Sequence, residues 1–77
     1  MNKERRKQLS KAIDLLAEAR DIIETAAAEE RDYYDNMPES LQSGDKGQRA
    51  DEVASSLEEM DSALDDLTSQ LSDAMGE

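Results

Sequence analysis

Residues 50–74 read ADEVASSLEEMDSALDDLTSQLSDA. Taken in sevens, the stretch places Ala50, Leu57, Leu64 and Leu71 at a positions and Val53, Met60, Leu67 and Ala74 at d. None of these is polar. An apolar repeat of 3.5 residues held over this length predicts a helix packed lengthwise against other helices. The outward b positions are Asp51, Glu58 and Asp65, and the c positions are Glu52, Glu59, Asp66 and Asp73. The flanking e positions (Ala54, Asp61, Thr68) and g positions (Ser56, Ala63, Gln70) are mostly small and neutral, where a two-stranded coiled coil usually carries Glu and Lys. Small neutral flanks widen the buried face, which is what a four-helix bundle requires.

The rest of the chain reads as a partner for this helix. From Lys3 to about Asp35 there is neither Gly nor Pro, and Ala, Leu, Glu, Arg and Lys dominate. These are strong helix formers, so a helix of about 30 residues is predicted, with Asn2 as its N-cap. Its apolar residues form two adjacent seams. One runs through Leu9, Ile13, Leu16, Ile23 and Ala27, interrupted by Arg20; the other runs through Ala12, Leu15, Ala19, Ile22, Ala26 and Tyr33. Two seams imply two neighbours: the second helix of the same chain, and most simply a second copy. Asn36 and the residue before Pro38 disfavour continued helix. Pro38 can then open a short turn through Glu39, Ser40, Leu41 and Gln42, with Tyr33, Met37 and Leu41 closing that end of the hairpin. The polar cluster Ser43-Gly44-Asp45-Lys46-Gly47 marks the reversal, and Gly76 ends the second helix after about Met75. The expected architecture is all-α and a single domain over 1–77: helix about 3–35, turn 36–46, helix about 47–75. It is an antiparallel hairpin pairing as a dimeric four-helix bundle. The seam residues assigned to core and dimer contact are Ala12, Leu15, Ala19, Ile22, Leu57, Met60, Leu64, Leu67 and Leu71.

Composition bounds the function. The chain has 77 residues, a net charge of −11, no Cys, no His, no Phe and no Trp. A chain this short with few large apolar side chains builds a thin core and gains from oligomerising. Lack of Cys excludes a disulfide framework and thiolate metal sites; lack of His removes the usual general base near neutral pH. The acidic balance disfavours nucleic-acid phosphates and anionic membranes and suits a basic protein surface. No apolar run approaches the roughly 20 residues that span a bilayer. The basic start lacks the apolar stretch of a signal peptide, and a cytoplasmic protein is expected. Charge is uneven: Lys3, Arg5, Arg6, Lys7 and Lys11 oppose Glu4 alone in residues 1–11, while from Ala50 onward there are nine acids and no base. A hairpin lays these ends side by side.

The acidic rows at Asp51, Glu52, Glu58, Glu59, Asp65, Asp66 and Asp73 read either as a negative rail for a basic groove or as a solvated face that keeps a bundle soluble. Asp32, Asp35, Asn36, Glu39 and Asp45 gather near the turn, but their spacing is not that of an EF-hand loop, and neither metal nor cofactor is expected. Tyr33 and Tyr34 read as packing residues. Ser43-Gly44-Asp45-Lys46-Gly47 lacks the spacing and preceding strand of a phosphate loop. Paired carboxylates such as Glu58/Glu59 and Asp65/Asp66 on an exposed helix are charges, and no enzyme is expected.

The pattern Asp35-Asn36-Met37-Pro38-Glu39-Ser40-Leu41-Gln42, a short polar turn, Gly47 and then an acidic amphipathic helix resembles a group of small uncharacterised proteins encoded by tailed phages and prophages. In these, a Lys/Arg-rich and Glu-rich first helix likewise precedes an Asn-Met-Pro-Glu turn and an acidic, Ala/Leu-rich second helix. The resemblance covers nearly the whole chain, carries no catalytic residues, and implies a bacterial cytoplasmic setting. The expected function is a small acidic protein-binding module, such as a phage-encoded inhibitor or adaptor acting on a host or phage protein. The alternative is a structural or scaffolding bundle with no separate ligand site.

Overall fold

The computed structural model describes residues 1–76, so Glu77 lies outside the described residues. Three helices follow in order: α1 (Lys3–Asp35), the single turn α2 (Glu39–Gln42) and α3 (Asp45–Met75). The two long helices pack side by side in a body 58 × 15 × 13 Å across. This is the all-helical hairpin expected from the two apolar repeats.

Local chemistry sets the boundaries. The Asn2 side chain accepts a hydrogen bond from the Arg5 amide at 2.7 Å, closing the first turn of α1. α1 stops at Asp35, ahead of Pro38, whose ring disfavours helix for the residue before it. Pro38 then stands at the N-cap of α2, and its carbonyl accepts from the Leu41 and Gln42 amides. Gln42 ties the turn back to α1 by donating from Nε2 to the Tyr34 carbonyl at 3.0 Å. Of the residues expected to close this end, Met37 is half-buried, whereas Tyr33 and Leu41 stay exposed and Tyr34 turns inward instead.

Gly47 lies in the first turn of α3 and is buried. A Cβ there would overlap the backbone of Gln42, so a residue without a side chain is what lets α2 fold down onto the start of α3. At Gly44 a Cβ would meet only the Leu41 carbonyl oxygen, at an ordinary 3.5 Å.

The seam between the long helices is thin. Among the described residues its buried apolar members are Ala27, Ala50 and Ala54, and no large side chain is wholly enclosed. On α1 the inward row is Leu9, Ile13, Leu16, Arg20, Ile23, Ala27 and Tyr34, so the first of the two expected seams faces α3. On α3 the inward rows are a and e, not a and d. Leu57, Leu64 and Leu71 are half-buried beside Ala54, Asp61 and Thr68, while Met60 is 50% exposed and Leu67 43%. The reason is steric and electrostatic. Alanine at 54 lets the helices come close. Thr68 satisfies its hydroxyl by donating to the Leu64 carbonyl at 2.8 Å. Asp61 meets the one arginine that interrupts the facing seam.

Candidate functional site

The acidic rows of α3 are divided by what α1 offers them. Arg20 and Arg31 project from α1 on the same flank. Arg31 donates from Nη1 to Asp51 at 2.8 Å and from Nη2 to Glu58 at 2.9 Å and the Ser55 hydroxyl at 3.4 Å. Its guanidinium also lies 5.8 Å from the centre of the Tyr34 ring, within cation–π range. Arg20 donates from Nε to Asp61 at 2.9 Å, from Nη1 to Asp65 at 3.0 Å and from Nη2 to Glu24 at 3.3 Å. The pairs Arg20–Asp61 and Arg31–Asp51 run in opposite directions along the two helices, as an antiparallel register requires. Arg20 bridges carboxylates on successive turns of α3, and Arg31 bridges two that stand two turns apart with Ser55 between them, a geometry the planar fork suits better than an ammonium would.

These contacts shift the groups involved. The hydrogen bond from Arg20 holds the Asp61 carboxyl below its usual range, against the opposing effect of partial burial. Glu24 moves the other way: its hydrogen bond with Asp61 and the negative charge of that neighbour raise it, with Arg20 only partly offsetting. Both arginines are held more firmly protonated by their carboxylate partners.

The three b-position acids are therefore engaged with α1, whereas the c-position acids point outward. Glu52, Glu59, Asp66 and Asp73 are all exposed. Glu52 alone among them has an ion pair, an exposed 3.7 Å contact to Arg49 on its own helix. At 1.5 Å per residue, neighbours in this row stand about 10.5 Å apart. The basic tract Lys3, Arg5, Arg6, Lys7 and Lys11 makes no ion pair among the described residues; Arg20 and Arg31, farther along α1, hold the acidic helix instead.

The seam residues named from sequence divide as well. Leu57, Leu64 and Leu71 face α1, and Ala12 and Ala19 are half-buried at its edge. Leu15 (55% exposed), Ile22 (71%), Met60 and Leu67 are open to solvent in the single chain. At 100° per residue, Val53, Met60 and Leu67 lie on the flank of α3 opposite Asp51 and Glu58, and Leu15 and Ile22 lie on the flank of α1 opposite Arg31. Since Arg31 reaches Asp51 and Glu58, the charged flanks share one side of the hairpin and the apolar flanks share the other. An open hollow of about 430 Å³ beside Ile22 and Ala26 adjoins this surface, with Asp21, Thr25 and Glu29 completing its lining.

The arginine bridges were the part missed in the sequence. The signal was present: Arg20 is the one break in the inner seam of α1, and Asp61 is the one acid among the flanking positions of α3. Among the described residues no three carboxylates stand at metal-binding spacing, and no helix is long and apolar enough to cross a membrane. Comparison with protein-family models, with curated proteins and with solved structures finds no match.

Proposed function

We propose that the hairpin is a small, non-enzymatic acidic protein-binding module that docks on a basic protein surface through the outer row Glu52, Glu59, Asp66 and Asp73. The observation that supports this is the division of the acids. Those at b positions are paired with Arg20 and Arg31, while the c row is left outside along one edge. Four carboxylates at helical spacing, on a chain of net charge −11, attract a basic surface at long range and set its register. The resemblance to small phage and prophage proteins implies a bacterial cytoplasmic setting and suits an inhibitor or adaptor acting on a host or phage protein. With it we propose the dimeric four-helix bundle. The second reading, a structural bundle, is favoured by the open apolar side rather than by the acids.

The test is affinity capture from a bacterial lysate with the wild-type chain and with a Glu52→Gln, Glu59→Gln, Asp66→Asn, Asp73→Asn variant. Proteins held by the wild type should be lost from the variant and released near 1 M salt, where the screening length falls to roughly 3 Å. The same proteins retained by both chains, at any salt, would assign binding to another surface.

A further inference from the structure

One side of the hairpin carries most of its exposed large apolar side chains. Leu15, Ile22, Met60 and Leu67 lie there, with Tyr33 at the turn end. Half-buried Val53 continues the strip along α3, and half-buried Ala19 lies in its floor.

We infer that a second copy of this chain covers this side. The inference rests on the dimer reading above and gives that dimer its surface. Three features of the strip single out a second copy. The first is charge. In a two-fold contact the same patch meets itself, so like residues approach like residues. Two chains of net charge −11 can do this only where the patch is uncharged. The centre of this flank, Leu15, Ala19, Ile22 and Ala26 on α1 with Val53, Met60 and Leu67 on α3, is uncharged, and Asp21 and Glu29 stand at its rim beside Ile22 and Ala26; the opposite side and the outer row are dense with carboxylates. A strip with no charge also offers a basic partner nothing to select. The second is area. The hairpin is 58 Å long and 15 Å across, so a second copy laid along its whole length hides on the order of 800 Å² per copy, the size of a standard stable interface, with the uncharged strip at the centre and charged residues toward both ends. The third is what the single chain leaves undone. Among the described residues nothing larger than alanine is buried. A second hairpin laid on this side would enclose Ile22, Met60 and Leu67 in the centre of four helices and leave both outer acidic rows free.

The test combines solution mass and thiol protection. Wild type should be a dimer by sedimentation equilibrium and dissociate only on strong dilution. An Ile22→Glu, Met60→Glu variant should shift the dimer–monomer midpoint by about 100-fold or more, because it buries unpaired charge. An Ala28→Glu, Ser62→Glu variant adds the same charge on the opposite side and should stay within about threefold of wild type. Since the chain has no Cys, single thiols report burial even if a charged variant folds poorly. The thiol of Met60→Cys should be shielded from maleimide at concentrations where the dimer forms and react freely on dilution; that of Ser62→Cys should react at one rate throughout. A monomeric wild type at all concentrations overturns the dimer reading and this surface with it. A dimer that survives Ile22→Glu, Met60→Glu, or that leaves the Met60→Cys thiol reactive, keeps the dimer and refutes the surface.

Discussion

Two rows of α3 flank the same line of leucines and meet opposite fates. The d row, Val53, Met60, Leu67 and Ala74, is wholly apolar, yet in the single chain all of it but half-buried Val53 lies toward solvent. The e row, Ala54, Asp61 and Thr68, is two-thirds polar, yet it faces α1. Average hydrophobicity alone would place them the other way round. What decides is the neighbour. α1 presents Ala27 in its inner seam, which admits close approach, and Arg20, which needs a carboxylate. Ala54 and Asp61 answer both, and Thr68 satisfies its own hydroxyl within the helix. Position inside a small helical protein follows complementarity to a particular partner, and an apolar row with no partner in the chain marks where another can sit.

The sharpest way to break this comparison is to enlarge one residue in each row. Ala54 is fully enclosed, so Ala54→Leu has no space to enter and should cost about 2–3 kcal/mol by forcing the helices apart. Val53→Leu adds bulk one residue away on the open flank and should change stability by less than about 1 kcal/mol. Urea denaturation of the two variants at one protein concentration measures the difference. Equal losses would mean that the d row packs on α1 as tightly as the e row.

A smaller effect is expected where the turn meets α3. Alanine at Gly47 improves helix propensity by about 1 kcal/mol, but its Cβ collides with the Gln42 backbone. Gly47→Ala should therefore be destabilising by about 1–2 kcal/mol net, as a small overpacked site is. Gly44→Ala, with ordinary contacts only, should stay within about 0.5 kcal/mol of wild type. Thermal melts followed by circular dichroism separate the two. If both glycines tolerate alanine equally, α2 does not rest on the start of α3.

Much of this was legible in the sequence, because local rules have short range. Asn2 reads as an N-cap, Pro38 as a helix stop, and the heptads of α3 as a packed helix without knowledge of any tertiary contact. The seam through Leu9, Ile13, Leu16, Ile23 and Ala27 was legible as one of two faces on α1. What periodicity could not rank was d against e on α3, since both lie beside the a row and the choice depends on side chains forty residues away. The acidic site had the same difficulty. Asp51, Glu58 and Asp65 look equivalent to Glu52, Glu59 and Asp66 until Arg20 and Arg31 are brought level with them by the hairpin.

The finest test of the e row is its response to acid. Asp61 is held below the usual carboxylate range by Arg20, so its contribution to stability is complete above the unfolded value and disappears as pH falls through the folded one. Glu24 is raised, chiefly through Asp61; its contribution is complete below its unfolded value and lost as pH rises through the folded one. On acidification from neutrality, Glu24 should take up its proton first and slightly strengthen the fold, and Asp61 should then take up its own and weaken it. Arg20→Gln removes the group that holds Asp61 down, so the acid limb of unfolding, followed by helical circular dichroism, should begin at higher pH than in wild type. Glu24→Gln removes a carboxylate that the fold disfavours while leaving the Arg20–Asp61 bond. That variant should be at least as stable as wild type at neutral pH and lose the early strengthening. An unchanged acid limb in Arg20→Gln would mean that Asp61 faces α1 for its backbone position alone, and that the bridge follows the register instead of helping to fix it.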